Sequence, residues 1–301
     1  GLRIYMSKEI FITGATGFLG SNLVKKFLSK GFNIHALIRK NSDRSRLINV
    51  PNINYIESRG EYIQNFFKEN KLDILIHTAC NYGRGNEDHK EILNTNINLG
   101  VELINLCDKF NVPLFINTHS ALPRDLNIYS SSKHEFNDIL KKRKGPTKIL
   151  NFVFDYMYGP HDDENKFVLF LIKKILANES IQLTKCEQKR DFIYIDDLVE
   201  AYFLAVENFD NNLSQIFYEH EVSSGEVIVL KDFVNELFFQ LSKHNSLKNN
   251  INFGAIEYRK GEQMNISLNS KSLYSIGWEA KTNFSCGIKK VIDSLIISNQ
   301  Q

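Results

Sequence analysis

The amino-acid sequence predicts an α/β fold, in which a doubly wound parallel sheet is accompanied by a smaller C-terminal substrate-binding lobe. Over the first half of the chain, short apolar runs alternate with segments of helical periodicity, which is the pattern of a parallel sheet with helices on both faces. A glycine-rich stretch directly follows the first apolar run. After residue 156 the alternation weakens, so we expect the smaller lobe there.

Each element follows from its period and its length. The first strand is the apolar run at 10–12, and the helix after it places Leu23, Phe27 and Leu28 on one face. That helix should end at Lys30-Gly31. Further strands are predicted at 33–38, 53–57, 73–79, 113–119 and 148–156. Further helices are predicted at 61–70, 90–110, 129–143, 166–178, 196–209, 230–243 and 285–297.

The segment 13–20, with the sequence TGATGFLG, lies between the first strand and the first helix. In that setting Gly14 allows a tight turn, Gly17 lets the backbone approach a pyrophosphate, and Gly20 lets the helix pack close to the sheet. The start of the helix offers unpaired N–H groups and a partial positive charge to phosphates. A glycine-rich turn that binds nothing is the alternative. As cofactor-binding residues we predict Gly14, Thr16, Gly17, Phe18, Leu19 and Gly20.

The residues after the second strand bear on the choice of cofactor. NAD sites place an acidic residue there, which bonds the ribose 2′-hydroxyl, whereas an arginine suits the 2′-phosphate of NADP. The predicted strand at 33–38 is followed by Arg39 and Lys40, with Arg44 close behind. We therefore expect NADP, with NAD as the alternative. Asp43 counts slightly against this choice, and a solvated basic loop would explain the same residues.

Tyr129 and Lys133 form a candidate proton-transfer pair. They are four residues apart in a predicted helix, so both side chains share one face. A tyrosine ionises near pH 10, and a neighbouring ammonium group favours the phenolate, so Tyr129 could exchange a proton with a carbonyl or hydroxyl group. Lys133 could also hold the nicotinamide ribose. Ser120 comes directly after the strand at 113–119 and should hydrogen-bond the same substrate oxygen. Chance occurrence is the alternative for the pair taken alone.

Composition and charge exclude several classes of protein. The chain has 301 residues, of which 43% are hydrophobic and 24% are charged. Its net charge of +2 lacks the strong positive charge that is typical of nucleic-acid-binding proteins. No apolar run has the length of a membrane span. We find no metal-binding signature. The four cysteines, Cys80, Cys107, Cys186 and Cys286, are scattered, and we expect reduced thiols in a cytoplasmic protein.

Several further segments carry a resemblance to a known family. They are 73–79 (DILIHTA), 96–100 (NINLG), 158–160 (YGP), 190–197 (RDFIYIDD) and 277–278 (GW). With the glycine loop and the Tyr129–Lys133 pair, the chain resembles the extended short-chain dehydrogenase/reductase family of sugar-nucleotide epimerases, dehydratases and reductases, which have a Rossmann fold. Residues 1–156 would then form the NADP-binding domain, with returns to the sheet near 193–222, and residues 157–301 most of the substrate lobe. Residues 1–5 are expected to be extraneous, because Met6 resembles a natural start.

The resemblance implies roles for particular residues. Ser120, Tyr129 and Lys133 would be the catalytic triad, with Asn96 as a supporting residue. Further cofactor contacts would come from Ala79 and Tyr156, besides Arg39, Tyr129 and Lys133. The substrate would be a nucleotide-sugar, and the residues expected to bind it are Tyr82, Arg84, Ser120, Arg190 and Arg259. Arg190 and Arg259 would bind its diphosphate together. The helices at 90–110 and 129–143 would pair in a homodimer.

The residues at the end of the fifth strand narrow the choice of reaction. The 4,6-dehydratases of the family have Thr-Asp-Glu there, whereas this chain has Thr118-His119-Ser120 without a carboxylate. A 4-ketoreductase that uses NADPH and a 4-epimerase that keeps NAD bound remain, and Arg39 favours the reductase. The segments 78–84, 115–118 and 189–192 resemble the CDP-abequose and CDP-paratose synthases, which reduce a 4-keto CDP-sugar for O-antigen. A cofactor sensor without catalysis is the third possibility.

Overall fold

The computed structural model describes residues 7–299, so the expectation for residues 1–5 lies outside the described residues. The strands are β1 Glu9–Thr13, β2 Asn33–Ile38, β3 Ile53–Glu57, β4 Ile74–His77, β5 Leu114–Ser120, β6 Lys148–Phe154, β7 Tyr156–Tyr158, β8 Ile181–Gln182, β9 Lys189–Arg190, β10 Phe192–Tyr194, β11 Phe217–Glu221, β12 Ile228–Val229 and β13 Ile251–Asn252. The α-helices are α1 Phe18–Ser29, α2 Tyr62–Glu69, α3 His89–Leu93, α4 Leu99–Lys109, α5 Ile128–Lys142, α6 Phe167–Leu176, α7 Ile195–Glu207, α8 Leu230–Ser242, α9 Lys271–Tyr274 and α10 Phe284–Ser298.

The chain divides into two compact units, one made of Gly1–Val153 and Tyr202–His220 and the other of Phe154–Ala201 and Glu221–Gln301. The first unit contains a seven-stranded sheet with the order β11-β6-β5-β4-β1-β2-β3. The pairs β1–β2, β2–β3, β1–β4 and β4–β5 are parallel. This is the strand order of a doubly wound dinucleotide-binding sheet, in which the order reverses between β1 and β4. The predicted fold class is confirmed.

Apolar side chains cover both faces of this sheet, as parallel sheets require. On one face Phe11, Leu75 and Phe115 pack with residues of α2, α4 and α5 in a single buried cluster. On the other face Phe27 of α1 lies 6.0 Å from Phe203, centroid to centroid. The central strands β1, β4, β5 and β6 are therefore buried almost throughout, whereas the edge strand β3 is only partly buried.

Two predicted elements differ from the structure. The helix expected at 90–110 is interrupted by a π-helical turn, Asn94–Asn98, between α3 and α4. The strand expected at 148–156 ends at Phe154, and β7 pairs with β10 in a separate two-stranded sheet. At each place a side chain, Asn96 or Asp155, makes hydrogen bonds that apolar periodicity does not reveal.

The second unit has its own aromatic core around β10 and α8. Phe192 stacks on Phe233 with ring centroids 3.9 Å apart. Trp278, which is buried, donates a hydrogen bond of 2.9 Å from Nε1 to the Asp197 carbonyl oxygen. The Asp197 carboxylate accepts hydrogen bonds from the backbone of Lys281 and Thr282. The segments 190–197 and 277–278 are thus parts of one packed structure.

Between residues 7 and 299, each helix is too short or too polar to cross a lipid bilayer. The same residues contain no cluster of three His, Cys, Asp or Glu side chains that could hold a metal ion.

Candidate active site

The glycine loop joins β1 to α1, and its shape depends on the absence of side chains. A Cβ on Gly20 would overlap the Gly14 carbonyl oxygen, so only glycine lets α1 start this close to β1. A Cβ on Gly17 would come within 4 Å of a single atom, the Gly14 carbonyl oxygen at 3.3 Å. The loop therefore presents bare backbone on the side of Gly17.

The start of α1 suits an anion. Gly17 is the N-cap and makes no side-chain cap, and the first turn from Phe18 contains no acidic residue. The N-cap residue therefore offers no side-chain acceptor to the first turn, which carries the positive end of the helix dipole. The bare backbone at Gly17 and the positive potential at the start of α1 fit the pyrophosphate of a dinucleotide. Gly14, Thr16, Gly17, Phe18, Leu19 and Gly20 would hold it.

Thr13 fastens the carboxyl end of β4 next to this loop. Its Oγ1 accepts hydrogen bonds of 3.1 Å from the backbone N–H groups of Thr78 and Ala79. Its remaining contact is His77 Nδ1 at 2.7 Å, to which the hydroxyl donates its single hydrogen. His77 is therefore neutral with its proton on Nε2, and burial lowers its pKa to about 3. Ala79, a predicted cofactor contact, is held beside Gly14.

Three arginines follow β2. Arg39 is exposed directly after the strand, and its backbone N–H donates to Ser42 Oγ. Arg44 lies over the ring of Tyr55, 4.4 Å from its centroid. The guanidinium group of Arg46, which the sequence analysis did not include, donates a hydrogen bond of 3.3 Å to the Thr16 carbonyl oxygen. The signal for Arg46 was the density of basic residues at 39–46, and its contact with the glycine loop became visible only in the fold.

The candidate catalytic residues belong to β5 and α5. Ser120 is the last residue of β5, and its Oγ accepts a hydrogen bond from the Leu122 backbone. Lys133 is 4% exposed, and its Nζ donates to the Thr118 carbonyl oxygen. That bond fixes the first turns of α5, which carry Tyr129, against the strand end that carries Ser120.

The electrostatic surroundings of Tyr129 differ from the expectation. The sequence analysis predicted that Lys133 would favour the phenolate, but burial raises the pKa of Tyr129 in this structure, and the Cys80 sulfur adds to that effect. Arg84 acts in the opposite direction. Burial also lowers the pKa of Lys133, whose ammonium group donates to the Thr118 carbonyl. The predicted direction is wrong here, because the loss of solvation on burial outweighs the opposing effect of the nearby positive charge, which comes from Arg84.

Asn96, in the π-helical turn, connects the loop after β4 to α5. Its Oδ1 accepts a hydrogen bond of 2.7 Å from the Asn81 N–H, and its Nδ2 donates to the Asn81 carbonyl oxygen at 2.9 Å. The same Nδ2 donates to Ser132 Oγ at 2.9 Å, and Ser132 Oγ donates to the Tyr129 carbonyl oxygen at 2.8 Å. The side chain is 2% exposed. Asn96 therefore positions the loop after β4 relative to the turn that bears Tyr129.

That loop brings Tyr82 and Arg84 to Tyr129. The rings of Tyr82 and Tyr129 lie 4.8 Å apart, centroid to centroid, at an interplanar angle of 35°. The Arg84 guanidinium carbon lies 4.8 Å from the centroid of Tyr82. The three side chains form one connected group.

The second unit contains the two arginines predicted to bind a diphosphate. Arg190 is 8% exposed, and its guanidinium group donates to Glu262 Oε1 at 2.6 Å. Arg259 Nε donates to the other carboxylate oxygen, Oε2, at 2.7 Å. One carboxylate thus brings both guanidinium groups together. The sequence analysis did not predict a role for Glu262, although its position three residues after Arg259 was a signal for such a pair.

Tyr156 and Asp155 also lie in the second unit. Tyr156 belongs to β7, with its ring 5.1 Å from that of Phe192, whereas the other predicted cofactor contacts belong to the first unit. Burial raises the pKa of Asp155 to about 6, against the opposing effect of Arg190. Asp155 Oδ2 accepts a hydrogen bond from the Asp191 backbone, which explains why the extended segment changes partner at this residue.

Comparisons with known proteins bear on the family and the fold. The model of a family described as the NAD dependent epimerase/dehydratase family matches residues 10–219. A CDP-abequose synthase from Salmonella muenchen is 31% identical over 95% of this chain and 98% of its own length. The UDP-glucose 4-epimerase of Thermotoga maritima, solved with UDP-glucose, superposes with a TM-score of 0.82 at 20% identity over 97% of this chain and 99% of that one. The UDP-glucose 4-epimerase of Thermus thermophilus, solved with NAD, gives a TM-score of 0.78 at 19% identity over 96% of this chain and 99% of that one.

Proposed function

The chain belongs to the NAD dependent epimerase/dehydratase family, and we propose that it reduces the 4-keto group of a nucleotide-diphospho-sugar with NADPH. The reaction would resemble that of CDP-abequose or CDP-paratose synthases and would serve the synthesis of surface-polysaccharide sugars. The observation that carries the proposal is the hydrogen bond from Lys133 to Thr118, which fixes Tyr129 against the strand end with Ser120, where no carboxylate stands.

In this mechanism Tyr129 is the general acid. A bound nicotinamide dinucleotide supplies the hydride that C4 receives. Tyr129 donates its phenolic proton to the C4 oxygen, so that the carbonyl becomes a hydroxyl group, and Ser120 donates a hydrogen bond to the same oxygen. Because the pKa of Tyr129 is raised, its phenol is protonated at neutral pH, which is the form a reductase needs. Lys133 would hold the nicotinamide ribose.

A preference for NADPH is the finer part of the cofactor proposal. Arg39 stands where NAD sites have an acid, and Arg46 reaches the glycine loop. Two guanidinium groups would stabilise a 2′-phosphate through charge-assisted hydrogen bonds. Asp43 accepts a hydrogen bond from Ser45 in its own turn, which makes it a poor candidate for the ribose. Ala79 and Tyr156 remain proposed cofactor contacts.

Arg190 and Arg259 are the proposed ligands of the diphosphate. Glu262 already orients both guanidinium groups, and paired guanidinium forks match two phosphates. Tyr82 and Arg84, in the loop after β4, are proposed substrate-binding residues for the sugar, and Asn96 is the proposed supporting residue of the triad. Cytidine as the base is inferred from the CDP-abequose synthase relative.

Three wider expectations also remain proposals. The first is that the dinucleotide-binding domain extends over 1–156 and the substrate lobe over 157–301. The second is a homodimer in which the helices at 90–110 and 129–143 pair across a twofold axis. Light scattering at micromolar concentration would give twice the mass of one chain, whereas a monomeric mass would exclude the dimer. The third is a cytoplasmic location, which agrees with four free cysteines.

A 4-epimerase with tightly bound NAD is the second candidate, because epimerases share this fold at TM-scores near 0.8. A catalytically silent cofactor sensor is less favoured, since Tyr129 and Lys133 are both present. The test is a panel of nucleotide 4-keto sugars, including CDP-4-keto-3,6-dideoxyglucose, with NADPH, followed by the absorbance of the reduced nicotinamide. A reductase consumes one NADPH per sugar, an epimerase interconverts two sugars without net consumption, and a sensor does neither.

A further inference from the structure

The side chains of Arg84, Tyr82 and Tyr129 form a stack at the end of the first unit's sheet. Tyr82 contacts both of the others, with 4.8 Å between its ring centroid and that of Tyr129, and 4.8 Å between its centroid and the Arg84 guanidinium carbon. Both distances lie in the ranges of aromatic pairing and of cation–π contact. A positive charge is therefore linked to the proposed general acid through one aromatic ring.

The backbone between Tyr82 and Arg84 fixes this stack. Gly83 has a φ of +68°, a value that residues with a side chain rarely adopt. A Cβ at this position would lie 3.0 Å from Ile92 Cδ1. The Gly83 N–H donates to Asn81 Oδ1 at 2.9 Å. Since Asn96 holds both backbone groups of Asn81, the return of Arg84 onto Tyr82 follows from the fold rather than from a chance rotamer.

Tyr129 gains a negative charge when it gives up its proton, and its surroundings resist that charge. Burial and the Cys80 sulfur raise its pKa, and Arg84 is the group that lowers it. Lys133, on the same helix, donates to the Thr118 carbonyl. Tyr82 itself stays protonated, because the Cys80 sulfur and burial raise its pKa well above the ordinary value.

We propose that Tyr82 and Arg84 are positioning residues for Tyr129: Tyr82 fixes the orientation of its ring, and Arg84 stabilises the phenolate that forms when the proton leaves. This role is additional to any contact with the sugar, and it rests on the proposed function in that Tyr129 is the proton donor. An arginine suits the task, because its guanidinium group stays charged at every working pH and stacks on aromatic rings.

The variant Arg84→Gln tests the charge, and Arg84→Lys tests its rescue. In the sugar-oxidising direction with NADP⁺, Tyr129 must accept a proton, so the rate rises with pH. We expect Arg84→Gln to shift this rise to higher pH by about 0.5–1 unit, which lowers kcat about threefold to tenfold at a fixed pH below the midpoint while KM stays within about twofold. Arg84→Lys should restore most of the loss.

The control is Lys243→Gln, because Lys243 also lies over an aromatic ring, 4.7 Å from the centroid of Phe239, at the exposed end of α8. It should match the wild type. A tenfold rise in KM with an unchanged pH profile would overturn the proposal and leave Arg84 as a substrate ligand only. Unchanged kcat, KM and pH profile in Arg84→Gln would also overturn it.

Tyr82 is tested by a matched pair of variants. Tyr82→Phe keeps the ring and should retain the wild-type pH profile, whereas Tyr82→Leu removes the ring and should reproduce the shift of Arg84→Gln. Equal behaviour of Tyr82→Phe and Tyr82→Leu, whether both resemble the wild type or both shift, would overturn the role of the ring.

Failure of the proposed function would be distinguishable, because the wild type would then turn over no sugar in the panel. In that case the absorbance of tyrosinate is measured against pH in the wild type and in Tyr129→Phe, and the difference between the two curves reports the ionisation of Tyr129. The same difference is then measured between the Arg84→Gln variant and the double variant that carries both Arg84→Gln and Tyr129→Phe. Ionisation of Tyr129 at a higher pH when Arg84 is replaced supports the inference, and ionisation at the same pH or lower overturns it.

Discussion

Replacement of Asn96 should damage both stability and turnover, because three hydrogen bonds from one buried amide join two elements. Asn96→Ala removes the two bonds to the Asn81 backbone and the one to Ser132. At about 1 kcal/mol for each bond, the variant should lose about 2–4 kcal/mol of unfolding free energy. Asn96→Asp keeps the shape but places a carboxylate oxygen against the Asn81 carbonyl, so its loss should be at least as large.

The same variants should lower kcat by roughly tenfold to a hundredfold, since small displacements of reacting groups have effects of that size. Urea unfolding and NADPH oxidation measure the two effects. The matched control is Asn98→Ala in the same π-helical turn, because Asn98 is exposed and bonds only the neighbouring Asn94 side chain. It should stay within about 0.5 kcal/mol of the wild type. If Asn96→Ala behaved like Asn98→Ala in both assays, the positioning role of Asn96 would be refuted.

Four further predictions concern the cofactor, the substrate, the proton donor and acid stability. Tyr129→Phe should lower kcat by about 10²–10⁴-fold with cofactor affinity retained, and a variant within a few-fold of the wild type would show that another group is the acid. Arg39→Asp should reverse or abolish the preference for NADPH over NADH, and equal wild-type KM values for the two cofactors would contradict the assignment. Arg190→Ala and Arg259→Ala should each raise KM about tenfold to a hundredfold with a smaller effect on kcat, because the diphosphate is bound alike in ground and transition states; a loss of kcat at constant KM would speak against the clamp. The folded-state pKa of His77, about 3, lies below its unfolded value, so the unfolded chain binds the extra proton and stability falls as pH drops from about 6.5 towards 3. His77→Asn should therefore lose about 3 kcal/mol less than the wild type between pH 7 and pH 4, and parallel losses would disprove this source of acid sensitivity.

Most of the first unit could be predicted from the sequence, because its elements are defined by local apolar patterns. The strand at 33–38 has the predicted bounds, and α5 begins and ends one residue before the predicted limits of 129–143. These segments are long or strongly apolar, and turn-forming residues bound them, so period and composition suffice. The resemblance to the dehydrogenase/reductase family is also confirmed. It could be recognised in the sequence because the glycine loop and the Tyr129–Lys133 pair are local patterns.

Features that depend on contacts between distant residues could not be predicted. The π-helical turn around Asn96 is set by bonds to a loop 15 residues earlier, which leaves no trace in periodicity. The pKa of Tyr129 depends on burial, which the Tyr-x-x-x-Lys spacing does not report. Arg46 and Glu262 reach their partners across 30 and 72 residues of sequence, so their contacts became visible only in the folded chain.

The central claim is that this protein catalyses the net reduction of a nucleotide-diphospho-sugar at C4. The most direct measurement incubates the wild-type protein with CDP-4-keto-3,6-dideoxyglucose and NADPH, and follows reduced-nicotinamide absorbance together with the sugar products by NMR. The account predicts that one NADPH disappears for each keto sugar and that one C4 alcohol accumulates. Interconversion of C4-epimeric sugars without net NADPH consumption would contradict it, as would an unchanged keto sugar.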